Sequence, residues 1–402
     1  MAHTQRHTGP ARSVEDHAAE VSDLLAPLLT RPAETVAVAD ALGRILASDI
    51  VSPVDLPLFR NSQMDGFAVD AASVAAVPVT LPIVATVAAG PAEPAPHVPG
   101  TAVRIMTGAV LPDGTEAVVP VEDTTASGDS VTVLRPRGAG EFVRDRGSDV
   151  RAGTPLLPTG TRLEPRHLSV LAAVGLADVP VRTRPRVAVL TTGAELVDAG
   201  TVPGPGQIFD SNGTALAASL RANGADVVSV ARSSDDPDAF RGALDRAVAA
   251  AELVITSGGV SMGDFEVVKD VLSGLGARFG KVAMQPGGPQ GLAVIDGVPV
   301  LTFPGNPVST LVSFEVFVRP LLRRAAGLPP IPTGTAVLDH ALTSIPGRRQ
   351  LLRGRRTGTG VDTVSGPGSH LVAAFAWADV LIDIPADVTS LAAGERVKVW
   401  SL

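Results

Sequence analysis

The chain has 402 residues, of which 45% are hydrophobic and 18% charged, with a formal net charge of −8; this supports buried cores in more than one domain and argues against a general nucleic-acid binder. With no cysteine, disulfides, thiolate zinc sites and iron–sulfur ligation are excluded. No apolar run reaches the roughly 18 residues of a membrane span, and the polar stretch 1–12 lacks the apolar centre of an export signal, so a cytoplasmic protein without membrane association is expected.

Residues 14–30 are predicted helical, with Ser13 as N-cap, Val21, Leu24, Leu25, Leu28 and Leu29 along one side, and a kink at Pro27. From 51 to 142, short β-like runs separated by Gly and Pro (79–87, 117–121 and 130–134) predict a small β-rich domain. The turn-rich stretch 147–164 leads to a predicted helix at 165–174 and a crossing strand over 176–184. Next come apolar runs at 187–190, 226–231, 253–256 and 300–303, alternating with predicted helices at 213–223, 237–250 and 264–273. A last long helix covers 307–326. Strands alternating with helices predict a doubly wound, mostly parallel α/β domain. After a Pro-rich linker, residues 335–402 return to short strands. The expected fold class is therefore α/β multidomain. Its parts are a helical and linker domain at 1–50 and 144–183, an inserted β-rich domain at 51–143, the α/β domain at 184–327 and a C-terminal β domain at 328–402.

In open α/β sheets ligands bind beyond the carboxyl ends of the strands. Three polar, glycine-rich loops stand there: Thr191-Thr192-Gly193-Ala194-Glu195, then Ser257-Gly258-Gly259-Val260-Ser261-Met262-Gly263-Asp264, then Pro304-Gly305-Asn306-Pro307. Small residues admit a ligand to the backbone, and hydroxyls with free N–H groups suit phosphate, although Asn306-Pro307 is also ordinary helix-start grammar. The carboxylates of Glu195, Asp210, Asp235, Asp236, Asp264 and Glu266 gather around them. Oxygen ligands beside phosphate favour a hard cation such as Mg²⁺, while Asp236 before Pro237 reads as a helix cap. Neither a Walker A lysine loop nor a G-x-G-x-x-G fingerprint is present. The residues alone thus point to a phosphorylated ligand with Mg²⁺.

The strings NSQMDGFAV (61–69), RIMTGA (104–109), TTGAEL (191–196), SGGVSMGD (257–264) and PGNPVS (304–309) together resemble the MoeA and gephyrin E-domain family. The match runs in order from about residue 14 to the C-terminus. The resemblance implies a molybdopterin molybdenumtransferase: adenylylated molybdopterin plus molybdate gives molybdenum cofactor and AMP, assisted by Mg²⁺. It also implies four domains, a homodimer, and the adenylyltransferase of the same pathway as a partner. Carried onto this chain, it implies catalytic roles for Asp65, Thr107, Glu195 and Asp235. Substrate binding falls to Asp149, Thr192, Gly193, Ser257, Gly258, Gly259, Ser261, Lys281, Pro304, Gly305, Asn306, Pro307, Arg353 and Ser369. Metal ligation falls to Asp235, Asp264 and Glu266. An arginine and a hydroxyl suit molybdate, a tetrahedral dianion.

Three departures stand out. The family's KPGKP segment is Gln285-Pro286-Gly287-Gly288-Pro289 here, so both lysines are missing and Lys281 alone remains nearby, with Arg278 or Arg353 as possible substitutes. Glu266 and Ala194 each replace a usual Asp. Two other readings compete: a non-catalytic or altered paralogue that binds a pterin nucleotide or a protein partner, which the missing lysines favour, and a related nucleotide-cleaving enzyme, which the match outside the α/β domain opposes.

Overall fold

The computed structural model describes residues 11–91, 93–260 and 266–402, in two compact units, Thr35–Val181 and the combination of Met1–Glu34 with Arg182–Leu402.

In the first unit, six strands form one sheet: β1 (Gly66–Val69), β2 (Val79–Val87), β3 (Ala102–Ile105), β4 (Ala117–Pro120), β5 (Thr124–Ser127) and β6 (Ser130–Val133), in the order β4-β1-β3-β2-β6-β5. Alternation along the strands covers both faces. Phe67, Val69 and Val119 enter one core cluster, and Ala68, Val103, Ile105 and Val118 another, as period-2 side chains require. A separate cluster packs the helix Pro165–Ala173 through Leu171 against Leu46, Ile50, Val179 and Val181.

The second unit carries the α/β domain. Strands β7 (Arg186–Thr192), β8 (Asp226–Ser233), β9 (Leu253–Ser257), β10 (Arg278–Lys281), β12 (Pro289–Ile295) and β13 (Val298–Phe303) form a sheet in the order β8-β7-β9-β13-β12-β10, with β11 (Met284–Gln285) lying outside it. The pairs β8–β7, β7–β9 and β9–β13 are parallel. The pairs β13–β12 and β12–β10 are antiparallel; these two strands are absent from the expected series. Helix α2 (Ser211–Ala222) joins β7 to β8, α3 (Pro237–Ala250) joins β8 to β9, and α4 (Val267–Gly274) leads from β9 to β10. Val187, Val189, Leu253, Ile255, Leu301 and Phe303 pack on one face with Leu216 and Leu220 of α2. Ala188, Leu190, Val254 and Val300 pack on the other with Phe240, Leu244, Val268 and Leu272 of α3 and α4. Helices on both faces explain why these strands read as continuous apolar runs. The chain leaves β7 toward β8 and then crosses to β9, so the loops after β7 and β9 flank the topological switch point.

The helix predicted at 264–273 is observed at Val267–Gly274; Ser261 and Asp264 lie outside the described residues. The long helix predicted over 307–326 is a helix at Pro307–Ser313, a π-helical segment at Phe314–Val318 and a helix at Arg319–Ala325. The C-terminal sheet orders β11, then β15 (Arg349–Arg356), β16 (Val380–Ile384), β17 (Arg396–Ser401) and β14 (Thr333–Val337). Strand β11 pairs in parallel with β15. A stretch between two α/β strands is thereby built into the C-terminal sheet, which sets the Gln285–Pro289 turn beside Arg348.

Helix α1 (Val14–Leu24) starts at Ser13, whose hydroxyl accepts the Asp16 backbone N–H, and a 3₁₀ turn at Ala26–Leu29 takes the place of the expected kink. His17 on α1 is 1% exposed and stands edge-on to Phe317 at 4.7 Å between ring centroids. Burial first, then the Arg12 charge, lowers its pKa from 6.5 to about 4. Since the folded value lies below the unfolded one, the unfolded chain binds the extra proton. The neutral ring's contribution is therefore complete above pH 6.5 and is lost as pH falls through 4. We expect up to about 3 kcal/mol of stability to disappear over that window, measured as urea midpoints at pH 7 and pH 4. In His17→Leu this component of the pH dependence should vanish; an unchanged slope would contradict the assignment.

Candidate functional site

A cavity of about 890 Å³ opens beyond the carboxyl ends of β7, β9 and β13. All three glycine-rich loops contribute to it: Thr192, Gly193 and Glu195, then Ser257, Gly258, Gly259 and Val260, then Pro304, Gly305, Asn306 and Pro307. Glu266, Asp235, Lys281 and Ser369 line it as well. Within this unit the structure thus brings together the sequence-predicted residues other than Arg353, Asp210, Asp236 and the two outside the described residues.

Local bonding fixes the loops. The Asp235 carboxylate accepts the Ala194 N–H at 2.9 Å, so one of its oxygens holds the β7 loop. Asp236 caps α3 by accepting the Ala239 N–H at 2.7 Å, and Asp210 caps α2 while accepting the Thr191 hydroxyl at 2.6 Å. Both have structural work. The Ser369 carbonyl accepts the Val308 N–H at 3.1 Å, tying the C-terminal region to the Pro304–Pro307 loop. Glu266 stands at the start of α4, and its side chain makes no capping bond. The Thr192 hydroxyl is buried without a partner among the described residues, an unspent hydrogen-bonding group in the cavity wall.

Gly258 has φ +104, and a Cβ there would lie 2.5 Å from the Thr192 carbonyl oxygen. Only glycine permits this turn to approach the β7 loop. Gly258→Ala is expected to destabilise the protein by about 2 kcal/mol through strain and overpacking. Thermal melts would register this as a lowered midpoint; an unchanged midpoint would show that the turn relaxes freely.

Arg353 is placed differently from the expectation. It is 0% exposed, and its guanidinium donates to the Ser365 hydroxyl and the Gly366 carbonyl, at 2.7 and 2.6 Å from Nη2. It is not a lining residue, and desolvation lowers its pKa. Its alternation with apolar neighbours on β15, a strand buried from Gln350 to Gly354, draws it into the interior. Arg278 pairs with Glu20 at 3.5 Å and is likewise not a lining residue. The arginine that does line the cavity is Arg348, exposed and without an ion pair among the described residues. Sequence reading also missed Asn212, Ser309 and His370, which line it too. Ser309 lay within the PGNPVS string; Asn212, one residue past the helix start, carried no signal.

Gln285 and Gly288 line the cavity where lysines were expected. The Gln285 side-chain Oε1 accepts from Gln350 Nε2 at 2.6 Å, and Gln290 Nε2 donates to the Gly287 backbone carbonyl and Ser313 hydroxyl at 2.8 and 2.7 Å. The turn is held firmly but carries no charge.

In the other unit, Asp65 immediately precedes β1. Its carboxylate accepts the Thr107 backbone N–H at 2.7 Å and the Thr107 hydroxyl at 3.0 Å. These two bonds, the backbone one first, hold its pKa below the usual carboxylate range. Asp65 and Thr107 are therefore brought together. Asp149 is exposed in the turn that donates its backbone N–H to Leu56, and its carboxylate has no partner among the described residues.

Three family models match successive parts of the chain. The MoeA N-terminal region (domain I and II) matches residues 12–175, the probable molybdopterin binding domain 188–324 and the MoeA C-terminal region (domain IV) 335–402. The chain is 46% identical to molybdopterin molybdenumtransferase 2 of Mycobacterium tuberculosis, covering 97% of this chain and 100% of that one. It is 37% identical to molybdopterin molybdenumtransferase 1 of the same organism, over 96% and 98%. The crystal structure of the molybdopterin biosynthesis MoeA protein from Pyrococcus horikosii superposes with a TM-score of 0.79 at 33% identity, covering 98% of this chain and 99% of that one. Near-complete coverage at these identities, on a fold that places its polar loops at the switch point, means that the chain belongs to the MoeA family.

Proposed function

We propose that the protein is a molybdopterin molybdenumtransferase acting on adenylylated molybdopterin and molybdate, with release of AMP. The observation that carries this reading is the convergence of three polar glycine-rich loops, Lys281 and Arg348, and the carboxylates of Glu195, Asp235 and Glu266 on one cavity. Cations and hydroxyls there suit an anionic substrate. In this reading Ser257, Thr192, Ser309 and Ser369 orient phosphate and molybdate oxygens by hydrogen bonding, Lys281 and Arg348 offset their charge, and Glu195 and Asp235 orient water or metal. Asp65, held by Thr107, is a further positioning carboxylate, and Asp149 a further polar contact. Arg353 acts indirectly, by fixing the 365–368 segment that leads to Ser369.

Among the described residues no three carboxylates or imidazoles gather into a complete metal cage. The donor set nonetheless fits Mg²⁺, which keeps waters and borrows substrate oxygens: among the described residues the Glu266 carboxylate has no partner and Asp235 bonds through one oxygen only. Asp235 and Glu266, with Asp264, would hold it, and bound there it would screen the phosphoanhydride charge. The reading also includes a four-domain division, a homodimer, a cytoplasmic setting and the pathway's adenylyltransferase as partner. Among the described residues no helix is long and apolar enough to cross a membrane.

The test is AMP release from adenylylated molybdopterin by the purified protein with Mg²⁺, with and without molybdate. Molybdate-dependent release supports the transferase. Tight nucleotide binding without release would instead support an altered paralogue, the reading favoured by the uncharged Gln285–Gln350 pair.

A further inference from the structure

Asn212 is the second residue of α2, and its start is anchored twice by Asp210, to the Gly213 N–H at 3.0 Å and to the Thr191 hydroxyl at 2.6 Å. From that fixed point its Nδ2 donates to the Gly305 carbonyl at 2.7 Å and to the Ser257 hydroxyl at 3.0 Å. The Ser257 hydroxyl, 1% exposed, lies 3.0 Å from the Thr310 hydroxyl, which donates to the Pro304 carbonyl at 2.6 Å. The two turns joined by this network lie close together, since a Cβ added to Gly305 would stand 3.3 Å from the Gly258 Cα. From α2, one amide therefore reaches the loops after β9 and β13 at once. Because a carbonyl can only accept, Nδ2 must be the atom facing Gly305. Oδ1 is then left without a partner among the described residues, on a side chain that lines the cavity.

We propose that Asn212 is a positioning residue that sets the spacing of the Ser257–Gly258 and Pro304–Gly305 turns for the substrate and offers Oδ1 to an N–H donor of its ring system. The inference rests on the transferase reading and adds a residue to it. A group that braces turns against a bound substrate acts on ground state and transition state alike, so its loss raises KM and leaves kcat nearly unchanged.

The experiment measures AMP release from adenylylated molybdopterin with molybdate, in the full-length wild type and in Asn212→Ala and Asn212→Asp, with thermal melts of each. The expected result is KM raised about tenfold in Asn212→Ala, the factor for one net hydrogen bond, with kcat within about threefold. Asn212→Asp keeps the side-chain volume but sets a carboxylate oxygen against the Gly305 carbonyl, so its KM should rise at least as far. A KM for Asn212→Asp close to the wild-type value would overturn the proposal, since volume alone would then suffice. So would a loss confined to kcat, or a fall in activity that merely follows a lowered melting temperature in both variants. Absence of molybdate-dependent release in the wild type itself would strike the transferase reading instead, which keeps the two failures apart.

Discussion

Asp65→Asn is expected to lower molybdate-dependent AMP release by on the order of 10²-fold or more, the usual loss when a positioned acid–base or charge-stabilising group is neutralised, while leaving the melting temperature within a few degrees of wild type. The geometry explains why the effects separate. The carboxylate is bonded through Oδ1 to the Thr107 N–H and hydroxyl, and an asparagine can present its own Oδ1 to the same two donors. The fold contact survives; the charge does not. Steady-state rates and thermal melts, run together, check both halves. Near-normal turnover would remove Asp65 from the reaction. A collapsed melting temperature would show that the Asp65–Thr107 contact matters mainly to the fold. Thr107→Val, which keeps the backbone donor and deletes the hydroxyl, should show a smaller loss of rate.

The parallel strands of the α/β domain were legible because helices cover both their faces, leaving continuous apolar runs such as Val187–Leu190. Strands β10 and β12 were not, because the intervening Lys281–Gly291 stretch is rich in Gly, Pro and Gln and its middle, β11, leaves the sheet to pair with β15 far along the chain. Local pattern carries no record of such a partner. The same limit applied to the site. Loops at strand ends announced themselves by composition, and Asp235, Glu195 and Lys281 followed from motif resemblance. Arg353 was carried over from motif resemblance as well, and β15, buried along most of its length, holds that arginine inside with Nη1 unpartnered among the described residues. Arg348, just outside the strand, keeps its charge in the cavity. Asn212 was invisible because its importance lies in reaching two turns that are distant in sequence.

The uncharged turn between β11 and β12 gives the second large effect. Gly288 does not have a positive φ among the glycines that do, and a Cβ there would meet only the Val282 and Met284 carbonyls at 3.5 and 3.8 Å, ordinary contact distances. Lysine is therefore sterically admissible at 288. At Gly287, with φ +101, it is not. Position 285 is costlier: Gln350 is 1% exposed and its Nε2 donates to Gln285 Oε1, so Gln285→Lys removes that acceptor. The Gln350 amide must then turn its Oε1, unpartnered among the described residues, toward the cation and leave Nε2 buried without a partner, a penalty of about 1–3 kcal/mol. Gly288→Lys alone should tighten adenylylated molybdopterin or molybdate about tenfold or more at low ionic strength, the lower end for a charge-assisted hydrogen bond of about 1.5–3 kcal/mol. Screening makes that gain shrink as salt is raised. Adding Gln285→Lys should bring less affinity and a lower melting temperature, unless Gln350→Glu accompanies it to supply a carboxylate partner. Titration calorimetry at two salt concentrations distinguishes the cases. Unchanged affinity in Gly288→Lys at low salt would mean that the anion does not bind against this turn, and that Lys281 and Arg348 gather it elsewhere in the cavity.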